Sequence, residues 1–274
     1  MGVLQYPTAI FTLRIEVMSF LKPKKFKWRY LITGLILVFV LIFLIEYLTL
    51  PDVKYLAKEN PETTSLISIR NKELQKKGKK PREYRLWVPY NRVSPYLKKA
   101  ILVGEDINFF THSGIDLEEM KESLKIDWKR KKFSRGASTI TQQLAKNLYL
   151  SPSKNPLRKL KEILIAFRLE KALSKRRIFE LYLNFVEWGD GIYGCEAASR
   201  YYFGKSSSEL TPDEAIRMAT SLPFPRKYPP SSNSKRCERR RKIILNRMLK
   251  YGFLTLEEYE PSQNPPTEES KDSS

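Results

Sequence analysis

The stretch RYLITGLILVFVLIFLIEYLTL, residues 29–50, limits this chain more than any other feature. From Tyr30 to Leu50 it is apolar apart from Thr33, Gly34, Glu46 and Thr49. A helix needs about 20 such residues to cross the hydrocarbon core of a bilayer. A buried core helix would show a polar face, and no charged position interrupts this run before Glu46. A cleaved signal peptide is the rival, but the run is long and no small-x-small pattern closes it. An uncleaved anchor is therefore expected. Lys22, Lys24, Lys25, Lys27 and Arg29 precede the span, and only Lys54 and Lys58 follow closely. The positive-inside rule then leaves the N-terminus in the cytoplasm and the following domain outside.

The rest of the 274 residues must pack as something soluble behind that anchor. Lys and Arg number 50 against 30 Asp and Glu, a formal net charge of +20. That balance favours anionic partners: nucleic acid, lipid head groups or phosphate-bearing substrates. With an anchor next door, lipid head groups are preferred for the basic stretch WKRKKFSR, which carries Trp128 and Phe133. The order of segments suggests a cytoplasmic segment 1–29, the anchor 30–50, a polar juxtamembrane connector 51–85, a main domain 86–255 and a polar tail 256–274. Met18 would also make an ordinary start, so the first seventeen residues are expected to carry little function. No alternating run is long enough for a substantial sheet, and the soluble part reads as mainly α.

Several chemistries are disfavoured. No G-x-G-x-x-G or Walker pattern occurs, against a Rossmann-type nucleotide site. SPSK at 151–154 and SSN at 231–233 imitate penicillin-binding motifs, but no K-[ST]-G follows. Cys195 and Cys237 are far apart in the chain and can be idle residues or a bridge. With one histidine, zinc has few ligands to draw on.

Four segments concentrate the remaining chemistry. GEDINFFTHSGID, residues 104–116, gathers Glu105, Asp106, His112 and Asp116 around Phe109 and Phe110. It reads as a solvated turn, a metal site or a catalytic carboxylate against an apolar wall. RGASTITQQLAKNLYL, residues 135–150, fits a capping box through Thr139 and Gln142. The same helix start, with Ser138, Thr139, Gln142 and Lys146, would also receive an anion. NPLRKLKEILIAFRLEKAL, residues 155–173, begins with an N-cap asparagine and a first-turn proline. Leu160, Ile163, Leu164 and Phe167 form one stripe, and Arg158, Glu162, Ile165 and Leu169 the other. A helix apolar on both sides is expected to be buried. Arg158 and Glu162 would then form either a structural ion pair or a functional one. In the fourth segment, residues 174–204, Glu180 and Asn184 are i, i+4 neighbours, Asp190-Gly191 marks a tight turn, and most of the rest reads as packing.

In this order the motifs EDINFFTHSGID, GASTITQQLAKN, RKLKEILIAFRLE and ELYLNFVEWGDGIYGCEAASRYYFG resemble the peptidoglycan glycosyltransferase family in its monofunctional, membrane-anchored form. A later segment, LTPDEAIRMATSLPFPRKYPP, fits too, and the resemblance spans roughly Leu86 to Met248. One departure is Ala137, where the family usually has a second glycine; it bears on fine positioning before Ser138.

The resemblance implies a lysozyme-like, mainly α glycosyltransferase domain behind a single N-terminal transmembrane helix. It implies polymerisation of lipid II into glycan strands. The acceptor's 4-hydroxyl attacks the donor's anomeric carbon with inversion, and undecaprenyl pyrophosphate leaves. It further implies Glu105 and Glu162 as catalytic carboxylates. The substrate-contacting set it implies is Asp106, Phe109, His112, Ser138, Thr139, Gln142, Gln143, Lys146, Asn147, Arg158, Lys159, Glu180 and Asn184. Glu105 beside Phe109 would act as general base. Lys146, Arg158 and the helix start at Ser138 would stabilise the leaving pyrophosphate. Glu162 would organise that region with Arg158, directly or through a divalent cation such as Mg2+; no organic cofactor and no protein metal ligand are implied. Expected partners are lipid II, the nascent strand, membrane lipids and separate transpeptidases or other wall-synthesis proteins, with no nucleic acid. A glycan hydrolase would instead need a general acid for a poor leaving group and a second carboxylate. A non-catalytic scaffold would predict broken motifs, and both glutamates are intact.

Overall fold

The structure, a computed structural model, describes residues 28–130, 138–153, 155–255 and 257–258. Ala137, most of the basic stretch 128–135, nearly all of the tail and the segment before Trp28 lie outside the described residues. Two compact units are present, Met1–Thr49 and Leu50–Ser274.

In the first unit, helix α1 (Trp28–Leu48) has 21 residues and no buried side chain. At about 1.5 Å per residue it spans roughly 30 Å, the thickness of the hydrocarbon core. It is long and apolar enough to cross a membrane once, and fits a single-pass anchor.

The second unit begins at once, and here the expected connector 51–85 is corrected. Leu50, Val53, Leu56 and Ile67 are buried in the main core. Helix α2 (Ser65–Lys76) starts at Thr64, whose hydroxyl accepts the Ile67 amide at 3.2 Å. Strand β1 (Tyr84–Arg85) ends the stretch. The polar composition misled because so few apolar residues do the anchoring, while arginines from later helices hold the backbone. Arg168 donates to the Leu50 carbonyl at 3.2 Å, and Arg177 to those of Leu56 and Glu59 at 2.8 Å each.

The remaining elements are α3 (Pro95–Glu105), α4 (Leu117–Arg130), α5 (Ile140–Tyr149), α6 (Pro156–Ala172), α7 (Lys175–Phe185), β2 (Glu187–Gly189), β3 (Ile192–Tyr193), α8 (Cys195–Phe203), α9 (Pro212–Ser221) and α10 (Lys235–Lys250). The domain is mainly α, with one three-stranded sheet ordered β1-β3-β2. β1 runs parallel to β3 and β2 antiparallel to it. The β2–β3 turn uses Gly191 at φ 77°, where a Cβ would meet that of Arg82 at 2.6 Å. Cys195 and Cys237 are both free and buried.

Helix α5 is the hub. Ile140, Leu144, Ala145 and Leu148 are buried, and the helix packs against α2, α6 and α7. Its capping box is complete: Thr139 accepts from the Gln142 amide, and the Gln142 side chain accepts from the Thr139 amide, both at 3.2 Å. Helix α6 begins as its sequence predicts, with Asn155 capping the Leu157 amide at 2.9 Å ahead of Pro156. Its burial is one-sided, however. Glu162, Ile165, Ala166 and Leu169 are buried, whereas Phe167 on the other stripe is 46% exposed. Leu164 on that stripe still packs against the core, while Phe167 lines a surface groove of about 590 Å³ with Ile115, Leu117 and His112.

Candidate active site

Helix α3 delivers Glu105 as its last residue. Leu97, Ala100, Ile101, Leu102 and Val103 fix the helix in the core. A carboxylate at the negative end of a helix dipole is unfavourable unless cations compensate. Helix α10 supplies two. Arg240 Nη2 donates to Glu105 Oε1 at 2.6 Å and to the Gly104 carbonyl at 3.2 Å. Arg247 Nη1 donates to the Val103 carbonyl at 3.2 Å. On the opposite side Gln143 Nε2 donates to Glu105 Oε2 at 2.9 Å. The buried Tyr182 hydroxyl donates to Gln143 Oε1 at 3.2 Å and so fixes the amide's orientation. Burial pushes the Glu105 carboxyl above the ordinary carboxylate range; Arg240, Gln143 and Lys146 pull against it without cancelling the effect.

The turn after Glu105 is locked by Asp106, which is buried. His112 Nε2 donates to its Oδ1 at 2.9 Å, and the Ile140 amide donates to its Oδ2 at 3.0 Å. The Gly114 amide donates to His112 Nδ1 at 3.2 Å, which assigns the proton to Nε2. The carboxylate thus ties the end of α3 to the start of α5. Asp116 braces the same loop, accepting from Asn108 Nδ2 at 2.8 Å and from the Glu119 amide at 2.9 Å.

Beyond the capping box, α5 presents Gln143 and Lys146. The Lys146 side chain makes no direct hydrogen bond or ion pair among the described residues, yet it feels both Glu105 and Glu162 electrostatically. Burial holds its ammonium below the usual lysine range. Helix α6 places Glu162 on its buried face, where Arg158 Nη1 and Lys159 Nζ each donate to it at 2.5 Å. Lys159 also donates to Ser138 Oγ at 2.9 Å. Four cations, Lys146, Arg158, Lys159 and Arg240, therefore surround two carboxylates. Such a site suits an anionic group beside a single carboxylate base.

The transglycosylase family model matches residues 70–249. The chain belongs to the transglycosylase family. Among its relatives, a protein from Nitrosospira multiformis named biosynthetic peptidoglycan transglycosylase is 38% identical over 82% of this chain and 96% of its own. One of the same name from Aromatoleum aromaticum is 50% identical over 62% of this chain and 74% of its own. The crystal structure of penicillin-binding protein 1A from Haemophilus influenzae aligns with 47% of this chain and 16% of its own, at 33% identity and a TM-score of 0.32.

Within this transglycosylase the expected site residues divide into two groups. Glu105, Gln143, Lys146, Arg158, Lys159, Glu162 and Ser138 converge on the centre just described. Phe109 does not: it is fully buried against Phe110, His112 and Phe179, and is core. Asp106, His112, Thr139 and Gln142 are occupied in locking the α3–α5 junction. Glu180 accepts from the Tyr90 amide at 2.8 Å and pairs with Arg177. Asn184 is fully buried, and its amide exchanges two hydrogen bonds with the backbone of Val88. Asn147 is also buried.

The α5 start is likewise corrected as an anion site. The Ile140 and Gln142 amides that an anion would use are already taken by Asp106 and Thr139. A protein-held metal does not fit either. Both Glu162 oxygens carry cationic partners, and no group of three or more His, Cys, Asp or Glu gathers among the described residues. Sequence reasoning missed Arg240. Its signal was present, since Arg240 lies one turn before Ile244 and two before Met248, on the buried stripe of α10.

Proposed function

We propose that this transglycosylase polymerises lipid II into peptidoglycan strands, with Glu105 as general base. The observation that carries the reading is the Glu105 carboxylate, buried and raised in basicity, within electrostatic reach of the Lys146 ammonium, which has no hydrogen-bond or ion-pair partner among the described residues. The acceptor's 4-hydroxyl oxygen forms the new bond to the donor's anomeric carbon, and its proton passes to Glu105. The bond from that carbon to the pyrophosphate oxygen breaks, with inversion, and undecaprenyl pyrophosphate leaves. Pyrophosphate needs charge stabilisation more than protonation, and Lys146, Arg158 and Lys159 are cations aimed at that charge. Glu162 holds Arg158 and Lys159 in place and keeps their charges together.

The anchor would confine the domain to the membrane that carries its substrate, with the N-terminus cytoplasmic and the catalytic domain outside. The groove with exposed Leu117 and Phe167 suits an apolar chain or the bilayer surface. Crosslinking of the strands would fall to separate transpeptidases.

Glu105→Gln tests the assignment, because the amide keeps shape but accepts no proton. Labelled lipid II should become long glycan with the parent protein. The variant should be slower by at least about 100-fold, as losing a general base requires. A variant polymerising at the parental rate removes the base. A parent that shortens preformed strands and ignores lipid II would make the protein a hydrolase instead.

A further inference from the structure

We infer that Arg240 is a positioning residue for catalysis: it clamps Glu105 to the carboxyl end of α3 and keeps that carboxylate charged and aimed. This inference rests on Glu105 being the base.

The geometry separates Arg240 from an ordinary helix cap. Two arginines of α10 reach the last turn of α3, but only Arg240 touches the carboxylate. One nitrogen, Nη2, serves both the Gly104 carbonyl and Glu105 Oε1. The side chain of Glu105 is thereby fixed relative to its own backbone. The contact spans 135 residues of sequence, so it exists only in the folded domain. The 2.6 Å separation lies just below the usual range of about 2.7–2.9 Å for a charge-assisted N–H···O bond. Arg240 Nε is buried without a partner among the described residues. Such an orphan costs stability, so the arrangement is a poor one for capping alone.

A cation against a base looks counterproductive, because it lowers basicity. The surroundings resolve this. The groups acting on Glu105 are Arg240 from α10, Gln143 and Lys146 from α5, Tyr182 from α7 and Asp106 from its own turn. Burial is the strongest influence and favours the neutral acid. A neutral carboxyl cannot take the acceptor's proton, and Arg240 is the strongest opposing charge. Arg240 uses Oε1 and Gln143 uses Oε2, so each oxygen keeps a second lone pair for the incoming hydroxyl.

The sign of the effect is fixed. Removing Arg240's charge raises the pH below which Glu105 is protonated and idle. The experiment follows lipid II polymerisation against pH for the full chain in vesicles, with melting temperatures alongside. Arg240→Gln keeps a donor and loses the charge. Its acid limb should move up by about one pH unit or more, the scale of losing an adjacent opposite charge. Arg240→Lys keeps the charge but loses the planar guanidinium fork that fixes the directions of the two bonds. Its acid limb should stay in place while its plateau rate falls several-fold. Arg247→Gln removes a cation from the same helix end without touching Glu105, and should lower the melting temperature and leave the limb unmoved.

An Arg240→Gln limb that coincides with the parent overturns the inference, as does an equal shift in Arg247→Gln. If Arg240→Gln does not fold, Arg240→Lys decides, and a parental plateau in that variant is the overturning result. Glu105→Gln keeps the two readings apart. Parental activity there removes the base itself, whereas an inactive Glu105→Gln with an unmoved Arg240→Gln limb removes only Arg240's role.

Discussion

Asp106 and His112 are joined at 2.9 Å across the turn that follows Glu105, and the same carboxylate takes the Ile140 amide at 3.0 Å. Two acids adjacent in sequence therefore do different work. Glu105 faces the cations, and Asp106 welds the end of α3 to the start of α5, the helix that carries Gln143 and Lys146.

Asp106→Asn should loosen that weld. The amide keeps one acceptor oxygen but loses the charge, and its other end presents a donor to a donor. A buried charged hydrogen bond lost in this way costs about 1–3 kcal/mol. Melting temperature and turnover should fall together, and the acid limb should move down slightly, because the Asp106 charge helps raise the Glu105 carboxyl. A variant with parental stability and reduced turnover would mean that Asp106 acts on substrate directly.

The packing of residues 50–76 predicts where the chain can be shortened. A chain beginning at Thr49 keeps Leu50, Val53, Leu56 and Ile67 in the core. It should fold with nearly the parental melting temperature. A chain beginning at Arg70, where the family match starts, loses all four. Removing a buried leucine or isoleucine side chain alone costs about 2–5 kcal/mol, against a typical total of about 5–15. Circular dichroism should find the shorter chain unfolded; a cooperative transition near the parental temperature would make the segment dispensable.

These two cases show what was legible in the sequence. Local signals carried well: Thr139 with Gln142, Asn155 with Pro156, and Asp190 with Gly191 each specify their turn or helix start through neighbours. The two carboxylates were legible because their motifs are short and ordered. Phe109 was not, because a phenylalanine beside acids looks the same whether it lines a cleft or fills a core; Phe179, seventy residues on, decides that. The junction at α5 escaped for the same reason. A helix start with Ser and Thr looks open to anions until Asp106, distant in sequence, is seen to close it. Arg240 and the connector act through contacts more than 100 residues apart; the stripe on α10 turns Arg240 inward, but no local pattern says that it meets Glu105.

Membrane attachment should matter more to rate than to fold. With the substrate confined to a bilayer, the chain from Thr49 should polymerise lipid II poorly in dispersed solution and recover with anionic vesicles, given the formal charge of +20 on the whole chain. Recovery should weaken as salt rises, because surface attraction is screened within about 10 Å at 0.1 M. Equal rates with and without vesicles, at matched substrate dispersal, would count against a surface role.

Lys146 offers the sharpest pH test. Burial holds its ammonium below the usual lysine range; Glu162 opposes this, Arg158 and Lys159 add to it, and Glu105 opposes it too. If the charge steadies the departing pyrophosphate, the rate must fall as pH rises through this lowered value. Stability moves the other way. Below the folded-state value the buried charge costs stability, and between the folded and unfolded values the unfolded chain binds more protons, so this group's contribution to stability rises with pH. Rate loss from this cause should therefore come without loss of fold. Lys146→Met should lower the plateau by about 100- to 1,000-fold, the scale of removing a charge stabiliser. Lys146→Arg should recover part of the rate and lose the alkaline limb, because a guanidinium stays charged across the range. An Arg variant with the parental alkaline limb would assign that limb to another group, and a Met variant with parental turnover would leave Lys146 a packing residue.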